Sequence, residues 1–446
     1  MSDIHAFGYQ EQLQRALGKW DLLAYGMILM VPIAPMSIYG FVAQESHGMV
    51  ALAYLVGMVG MLFTAMSYAT LSRAFPVAGS VYSYAHRGLH EAVGFLAGWL
   101  ILLDYILVPA LLYILSAVAM RSIWPAIPAW AWVLAFIAFN GFVNLRGVEF
   151  TARANRYMLV FELITLAVFV AVGLAALHAG QGAGRLTLRP LYDPQGFSIA
   201  TVVGATSVAV LSFLGFDGIS TMAEESKGGR DAVGRATVLS LLLVGLMFMV
   251  QTWIAADLGQ GRTFTDAGSA FYEICAAAGG TWLKVLVIAA VAISSGIANA
   301  MAAQAAVSRL LFAMARDGKL PAALARVHPR FRTPHVSTLL VCAVSVAASL
   351  VFVDDVEDLT RLVNFGALCS FLVVHVTVIR HRFLRERSGD WLRHLLCPVL
   401  GMLVIGYVLY EMDATAMRLG LAWLGIGVAY YLLLTRVLRR AAVLDL

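Results

Sequence analysis

Long apolar runs alternate with short polar stretches along this chain, and this alternation is its dominant pattern. A helix needs about 20 mostly apolar residues to cross a bilayer. Runs of this length predict twelve spans, numbered 1 to 12 in chain order. The spans lie near residues 21–45, 49–72, 92–119, 129–146, 156–178, 197–223, 236–258, 281–312, 336–353, 359–379, 394–411 and 417–438.

The polar stretches between the spans are too short to hold a separate soluble domain. The sequence therefore predicts one membrane domain over residues 1–446. Spans 1 to 5 cover about 21–178, spans 6 to 10 about 197–379, and spans 11 and 12 about 394–438.

Composition also indicates a protein that is solvated by the lipid bilayer. Of the 446 residues, 61% are hydrophobic and 13% are charged, and the mean hydropathy of +0.82 is too high for a soluble protein. The first twenty residues lack an apolar core followed by a cleavage site, so we expect no removed signal peptide. Cys275, Cys342, Cys369 and Cys397 show no paired spacing, which favours neither a disulfide framework nor a metal site.

Lys and Arg are distributed unequally between alternate loops, and cytoplasmic loops are the ones enriched in them. With both termini in the cytoplasm, 24 fall on the cytoplasmic side and seven on the other. The net charge of +5 then reflects topology, and we expect no nucleic-acid partner.

Two spans carry helix-breaking residues near their middle. Span 1 contains VPIAPMSIYG at residues 31–40, where Pro32 and Pro35 each remove a backbone donor, and span 6 contains LSFLGFDGIS at residues 211–220. Freed backbone groups cost several kcal/mol each in lipid, so such breaks must line a cavity. Breaks at matching positions favour an inverted-repeat transporter, in which spans 1 to 5 correspond to spans 6 to 10 and the site lies between the breaks. A pair of ordinary kinks is the alternative.

Two acids lie deep within spans, Asp104 in LILLDYILVP of span 3 and Asp217 in the span 6 break. Such residues are costly in a membrane and normally face a partner or a watery pathway. No Lys or Arg lies at a comparable depth, so we expect the substrate to supply the positive charge. The alternative is that each Asp caps a broken helix or stays protonated in a dry core.

Three glutamates lie nearer to the predicted cytoplasmic side. Glu162, in span 5, is near a basic cluster that includes Arg156, so both a salt bridge and a proton site are open. Glu224 and Glu225 end span 6 beside Lys227, where we expect a solvated helix end. A closing gate would use the same two residues.

Aromatic residues flank the deep acids, and each could simply be core packing. Together they suit an organic cation, because ring faces attract an ammonium group and apolar walls suit methylenes. The candidate substrate site comprises Pro35, Met36, Ser37, Tyr39, Asp104, Tyr105, Phe213, Gly215, Phe216 and Asp217. The candidates for proton coupling or gating are Asp217, Glu162 and Glu225.

Several motifs resemble those of the amino acid–polyamine–organocation transporters, and the resemblance extends from about residue 12 to 435. It implies an all-α, LeuT-like fold of twelve transmembrane helices with a five-plus-five inverted repeat, an inner-membrane location and proton-driven uptake. The signature-like segments are FPVAGSVYSY at 75–84 and GFLAGW at 94–99. Motifs similar to those of bacterial putrescine importers are SFLGFDGIS and EES within 212–226, AAVSRLLFAMARDGKLP at 305–321, VHPRFRTP at 327–334 and NFGAL at 364–368.

The resemblance assigns roles by position. Asp217 matches the acid of the family's span 6 break, and Asp104 with Tyr105 matches the Asp-Tyr pair that putrescine importers have in span 3. The chain departs from its relatives at two positions. Gly40 replaces an acid that follows the span 1 aromatic, and Glu162 stands where many relatives have Lys or a neutral residue.

These features favour an importer of putrescine or a similar short diamine, with no cofactor. Amino acid carriers of this family usually bind the substrate carboxylate through free N–H groups of a glycine-rich span 1 break. Here two prolines delete donors and two acids add negative charge. The alternatives are a carrier of a cationic or neutral amino acid that uses N–H groups near Ser37, a channel, and an intramembrane enzyme. The isolated His375 in span 10 favours a packed side chain over a catalyst.

Overall fold

The computed structural model describes residues 15–121, 124, 126–264, 267–353, 356–410, 412 and 414–437. Within these ranges the chain is helical, and no β-strand is present beyond an isolated bridge between Leu17 and Ser226. The first eight α-helices are α1 Lys19–Met30, α2 Pro35–Glu45, α3 Val50–Ala74, α4 Ser80–Gly88, α5 Glu91–Arg121, α6 Ala129–Arg146, α7 Val148–His178 and α8 Ile199–Ala209. The other eight are α9 Arg230–Gly259, α10 Ala270–Gly279, α11 Thr281–Ile293, α12 Ala300–Arg316, α13 His335–Phe352, α14 Val356–Val378, α15 Cys397–Tyr410 and α16 Ala414–Leu432.

Short segments of different pitch extend several of these helices. The 3-10 helices are Val210–Phe213, Phe216–Glu225 and Ala322–Ala325. The π-helical segments are Ser294–Asn299, Ile379–Arg385, Leu392–Leu396 and Leu433–Val437.

The predicted spans are present. In the described part of the chain, 11 helices are long and apolar enough to cross a membrane, and the bent pair α1 and α2 makes a twelfth. Span 6 combines α8 with two 3-10 helices, and span 8 combines α11, a π-helical segment and α12. Spans 2, 3, 4, 5, 7, 9, 10, 11 and 12 correspond to α3, α5, α6, α7, α9, α13, α14, α15 and α16. The short helices α4 and α10 lie between spans and were not predicted.

The break of span 1 is a bend of 51° between α1 and α2. Pro32 lies in the connecting turn and Pro35 is the first residue of α2, where a missing N–H group costs no intrahelical hydrogen bond. The side-chain amide of Gln251 in α9 donates to the carbonyl of Pro32 at 2.8 Å. The prolines therefore separate two half-helices, and a buried amide satisfies one of the freed carbonyls.

The break of span 6 depends on a glycine. Gly215 has a φ of 107°, which disfavours any residue with a Cβ atom. An added Cβ would also lie 2.7 Å from the carbonyl oxygen of Leu29 at the end of α1. The backbones of the two breaks therefore pack directly against each other.

Helix contacts follow the pattern of a repeat. Spans 1 and 6, 2 and 7, 3 and 8, and 4 and 9 are each in contact. Span 1 contacts span 7 (α1 with α9), and in the same way span 6 contacts span 2 (α8 with α3). Span 3 contacts span 10 (α5 with α14), and in the same way span 8 contacts span 5 (α11 with α7). Because five crossings separate corresponding spans, the second set must run in the opposite direction through the membrane. The fold is thus the expected five-plus-five inverted repeat.

The fold has two faces, named here by the ends of span 1. The proximal face is where α1 and α5 begin and span 6 ends, and the distal face is where α2 and α5 end and α8 begins. His375 lies within the bundle, fully buried, with its ring nitrogens 3.1 Å from Thr64 Oγ1 and 2.9 Å from Ser67 Oγ. It packs α14 against α3 and takes no part in the site below.

Candidate functional site

A cavity of about 860 Å³ lies beside the two breaks and reaches the surface at the distal face. Three helical stripes contribute to its walls, which are largely apolar. The stripe of α5 is Asp104, Tyr105, Val108, Leu111, Leu112 and Leu115, that of α2 is Ser37, Ile38, Phe41, Gln44 and Glu45, and that of span 6 is Val208, Leu211 and Ser212. This spacing of three or four residues is that of one helix face turned inward.

The charged side chains among the described lining residues are Asp104 and Glu45, and both are acidic. Asp104, at the deep end, is only 3% exposed. Its carboxylate has no hydrogen-bond partner among the residues that the structure describes. A buried carboxylate with neither partner nor full hydration is costly, so this end of the cavity favours a cation.

Asp217 lies directly behind the cavity wall. It is fully buried, and its Oδ2 accepts a hydrogen bond from the hydroxyl of Tyr105. Its Oδ1 has no partner in the described part of the chain. Because Tyr105 lines the cavity and Asp217 does not, the tyrosine stands between Asp217 and the open space. The structure thus brings Asp104, Tyr105 and Asp217 together at the deep end.

The other predicted substrate residues divide into two groups. Ser37 and Gly215 line the cavity. The second group is buried in the surrounding core and does not line the cavity; it comprises Pro35, Met36, Tyr39, Phe213 and Phe216.

The three aromatic residues of the second group pack against other rings. Tyr39 makes an edge contact with Phe271 at 5.7 Å between ring centroids, and it lines a smaller pocket of about 270 Å³ at the distal face. The other contacts are Phe213 with Tyr54 and Phe248, and Phe216 with Tyr68 and Phe371. In this conformation these side chains serve as core packing, and a role at the substrate stays a prediction.

Several lining residues were absent from the predicted site. Phe41 and Tyr272 provide aromatic surface, and Ser295 and Asn299 provide polar groups from the π-helical segment of span 8. The run of small polar residues in SSGIAN, inside an otherwise apolar span, is the signal that could have indicated them. π-Helical segments occur frequently at functional sites.

Gly40, where the family resemblance predicted an acid, lies close against a neighbouring segment of the chain. An ideal Cβ on Gly40 would lie 2.1 Å from the carbonyl oxygen of Ala267. The chain between α9 and α10 therefore approaches the α2 backbone too closely for any side chain at this position.

The donors of the span 1 break are already in use. The N–H group of Met36 donates to Ile33 at 3.0 Å, and that of Ser37 donates to Ala34 at 3.1 Å. Pro35 has no N–H group. The start of α2 therefore offers a substrate carboxylate fewer free donors than an ordinary helix N-terminus.

Glu162 lies apart from the two aspartates, beside Ser294 of span 8. It is fully buried, and neither carboxylate oxygen has a hydrogen-bond partner in the described ranges. Arg156, the basic neighbour considered above, pairs instead with Asp21 of α1. Within the described residues, the salt bridge between Glu162 and Arg156 is thus not formed.

Two buried ion pairs close the proximal face. Glu225 pairs with Arg309, with a second contact of 3.0 Å between Arg309 Nη2 and Glu225 Oε2. Glu224 pairs with Arg316 at 2.9 Å and accepts the N–H group of Ala78 at 2.9 Å. The expected solvated end of span 6 is wrong, because two arginines of α12, two helical turns apart, cover the consecutive glutamates.

The segment before α1 adds backbone contacts to this closure. The N–H groups of Ala16 and Leu17 donate to the carbonyl of Glu225 at 3.1 and 3.0 Å, and Lys227 donates to Leu17 at 2.8 Å. The cavity is therefore open at the distal face and closed at the proximal face.

Comparison with known proteins agrees with this architecture. A family model described as amino acid permease matches residues 18–436. The low-affinity putrescine importer PlaP of Escherichia coli (strain K12) is 32% identical over 440 residues, which cover 96% of this chain and 95% of that protein. The branched-chain amino acid permease BcaP of Bacillus subtilis (strain 168) is 27% identical, covering 97% and 96% of the two chains. The methylthioribose transporter of the same organism is 26% identical, covering 98% and 96%.

The buried pairs should contribute strongly to stability. Glu225→Gln leaves the Arg309 guanidinium buried without its carboxylate, a change that typically costs about 3–5 kcal/mol. We expect the melting temperature of the purified variant in detergent to fall markedly, and the double variant with Arg309→Met to recover part of the loss.

Glu386→Gln is the matched control, because Glu386 pairs with Arg382 at a more exposed position. Exposed pairs contribute about 0–1 kcal/mol, so this variant should melt close to the wild type. An equal fall in both single variants would contradict a special role for the proximal pairs.

Proposed function

The chain belongs to the amino acid permease family, whose members are transporters and not enzymes, and we propose that it imports putrescine or a similar short diamine. The proposed location is the bacterial cytoplasmic membrane, and the proposed driving force is a proton gradient. The relative named as a putrescine importer is consistent with a cationic substrate.

The deep end of the cavity is the observation that carries this proposal. Asp104 is buried, unpaired and turned to the cavity, and Asp217 lies behind Tyr105. No Lys, Arg or His is present among the described lining residues. A diamine can offer one ammonium group to Asp104, and the other reaches Asp217 when the Tyr105 side chain that separates this acid from the cavity moves aside. The Tyr105 ring also adds a surface that attracts cations.

The rest of the cavity suits the methylenes of such a substrate. Val108, Leu111 and Leu112 form an apolar wall beside the acids. The same site fits an amino acid less well, because a carboxylate would meet two like charges and few free donors near Ser37. We therefore favour the diamine over the amino acid alternative.

The distribution of charge supports uptake as the direction. The Lys- and Arg-rich loops lie at the proximal face, which the positive-inside rule places in the cytoplasm together with both termini. The cavity then opens to the outside, ready for an external cation. Release inside requires the proximal ion pairs of Glu224 and Glu225 to separate, which is the gating alternative considered for Glu225.

A proton site is proposed at Glu162. Its carboxylate is buried without a counterion, beside a Ser294 hydroxyl that also lacks a partner among the described residues. A proton can neutralise this group where no protein cation does. Glu162 lies in span 5 and packs against span 8, so its charge can influence how these spans move.

Asp217→Asn should abolish uptake while the protein remains folded. Loss of one charge-assisted contact costs about 1.5–3 kcal/mol, or about tenfold to a hundredfold or more in affinity. The measurement is uptake of labelled putrescine into proteoliposomes, together with the melting temperature of each variant. Asp231→Asn, which removes an acid from an exposed ion pair at the proximal face, is the control. Near wild-type transport by Asp217→Asn would refute the assignment.

Asp104→Asn tests the two-ended recognition of a diamine. The substitution should weaken the binding of putrescine much more than the binding of butylamine, because the monoamine needs only one acid. For butylamine it also removes a desolvated charge near the methyl end of the ligand. The measurement is inhibition of uptake by each amine over a series of pH values. If both amines lose affinity equally, Asp104 acts through the general potential of the cavity and the two-ended model is wrong.

Glu162→Gln should separate proton coupling from substrate binding. We expect uptake driven by an imposed pH gradient to be lost, while putrescine still protects the purified protein from thermal unfolding as in the wild type. Thr165→Val, one turn away on the same helix, is the control. Undiminished gradient-driven uptake by Glu162→Gln would exclude this residue as the coupling site.

A further inference from the structure

The cavity is longer than a short diamine requires. Its α5 wall extends from Asp104 to Leu115, which is about 16 Å at the rise of an α-helix. Its α2 wall extends from Ser37 to Glu45, about 12 Å by the same rise. An extended four-carbon diamine spans only about 6 Å between its nitrogens. A diamine at the deep end therefore leaves the distal half unfilled.

The distal half carries an acid of its own. Glu45 is the last residue of α2 and is exposed where the cavity opens. Its carboxylate faces α8, since an ideal Cβ on Gly204 would lie 3.6 Å from Glu45 Oε2. The described lining residues include no basic side chain that could neutralise it.

The deep half provides the second, independent observation. Asp104 is 97% buried, lines the cavity and has no hydrogen-bond partner among the described residues. Between this acid and Glu45 the wall is apolar, formed by side chains such as Ile38, Phe41 and Val108. Carboxylates at both ends of an apolar channel match the chemistry of a linear polycation, in which ammonium groups alternate with methylene segments.

We propose that Glu45 is an outer ammonium subsite that receives the far end of a linear triamine whose near end lies at Asp104. The inference rests on the proposed function, because it uses the same deep site for the first ammonium. A triamine with one four-carbon and one three-carbon segment spans about 11 Å between its terminal nitrogens. From Asp104 this length covers about two thirds of the α5 wall of about 16 Å, toward the mouth where Glu45 lies. A diamine held at Asp104 covers less than half of the same wall.

Calorimetric titration of the purified full-length protein with putrescine and with spermidine tests this subsite. Glu45→Gln should weaken spermidine about threefold to fivefold, as expected for loss of an exposed ion pair, and should change putrescine affinity little. Glu45→Asp keeps the charge and should retain most of the spermidine affinity.

Asp193→Asn is the matched control, because this substitution removes a negative charge from the distal face at a residue that does not line the large cavity. It should not discriminate between the two amines. Equal weakening of both amines by Glu45→Gln would overturn the subsite, since Glu45 would then act by general attraction. Unchanged spermidine affinity would overturn it as well.

The two proposals fail in different ways. Failure of the wild-type protein to bind either amine would refute the diamine function together with the subsite. Normal putrescine binding with no length-dependent effect of Glu45→Gln would refute the subsite alone.

Discussion

The structure depends on one constraint, which is that backbone groups freed from a helix inside a bilayer must find partners within the protein. Both breaks lie at the centre of the protein, where other protein groups supply such partners. Gln251 donates to the carbonyl of Pro32, and the N–H group of Gly218 donates to the carbonyl of Gly215 at 3.0 Å. Spans 3 and 8 then close around the paired breaks, and the cavity forms where the shortened half-helices leave space. The position of the site is thus a consequence of how the breaks satisfy their backbone.

The acidic side chains of the cavity and the proximal face fall into two groups, those whose counterion is supplied by the protein and those without such a counterion. Glu224 and Glu225 have arginine partners on α12, so their charges hold two spans together. Asp104 has no partner within the described residues and faces the cavity, so its charge is available to a ligand. Acidic side chains therefore hold the proximal face closed and also leave one carboxylate without a counterion at the deep end of the cavity.

The sequence predicted the features that depend on run length, helix breakers and unpaired charge. The twelve spans, both breaks and the grouping of Asp104, Tyr105 and Asp217 are of this kind. It could not predict which aromatic residues face the cavity, because spans buried on all sides carry no periodic polar stripe to orient them. It also missed the partners of Glu224 and Glu225, since Arg316 and Arg309 lie 92 and 84 residues away.

The segment Phe216–Glu225 connects the site to the closed face. It carries Asp217 in its first turn and both paired glutamates at its end, and it is a continuous 3-10 helix. A ten-residue helix of this type spans about 20 Å, so its two ends cannot move independently unless it unwinds. Under the proposed function, a cation bound near Asp217 therefore acts on the same element that holds the pairs with Arg309 and Arg316. The proposed substrate site and the closed proximal face are thus joined by a single piece of backbone.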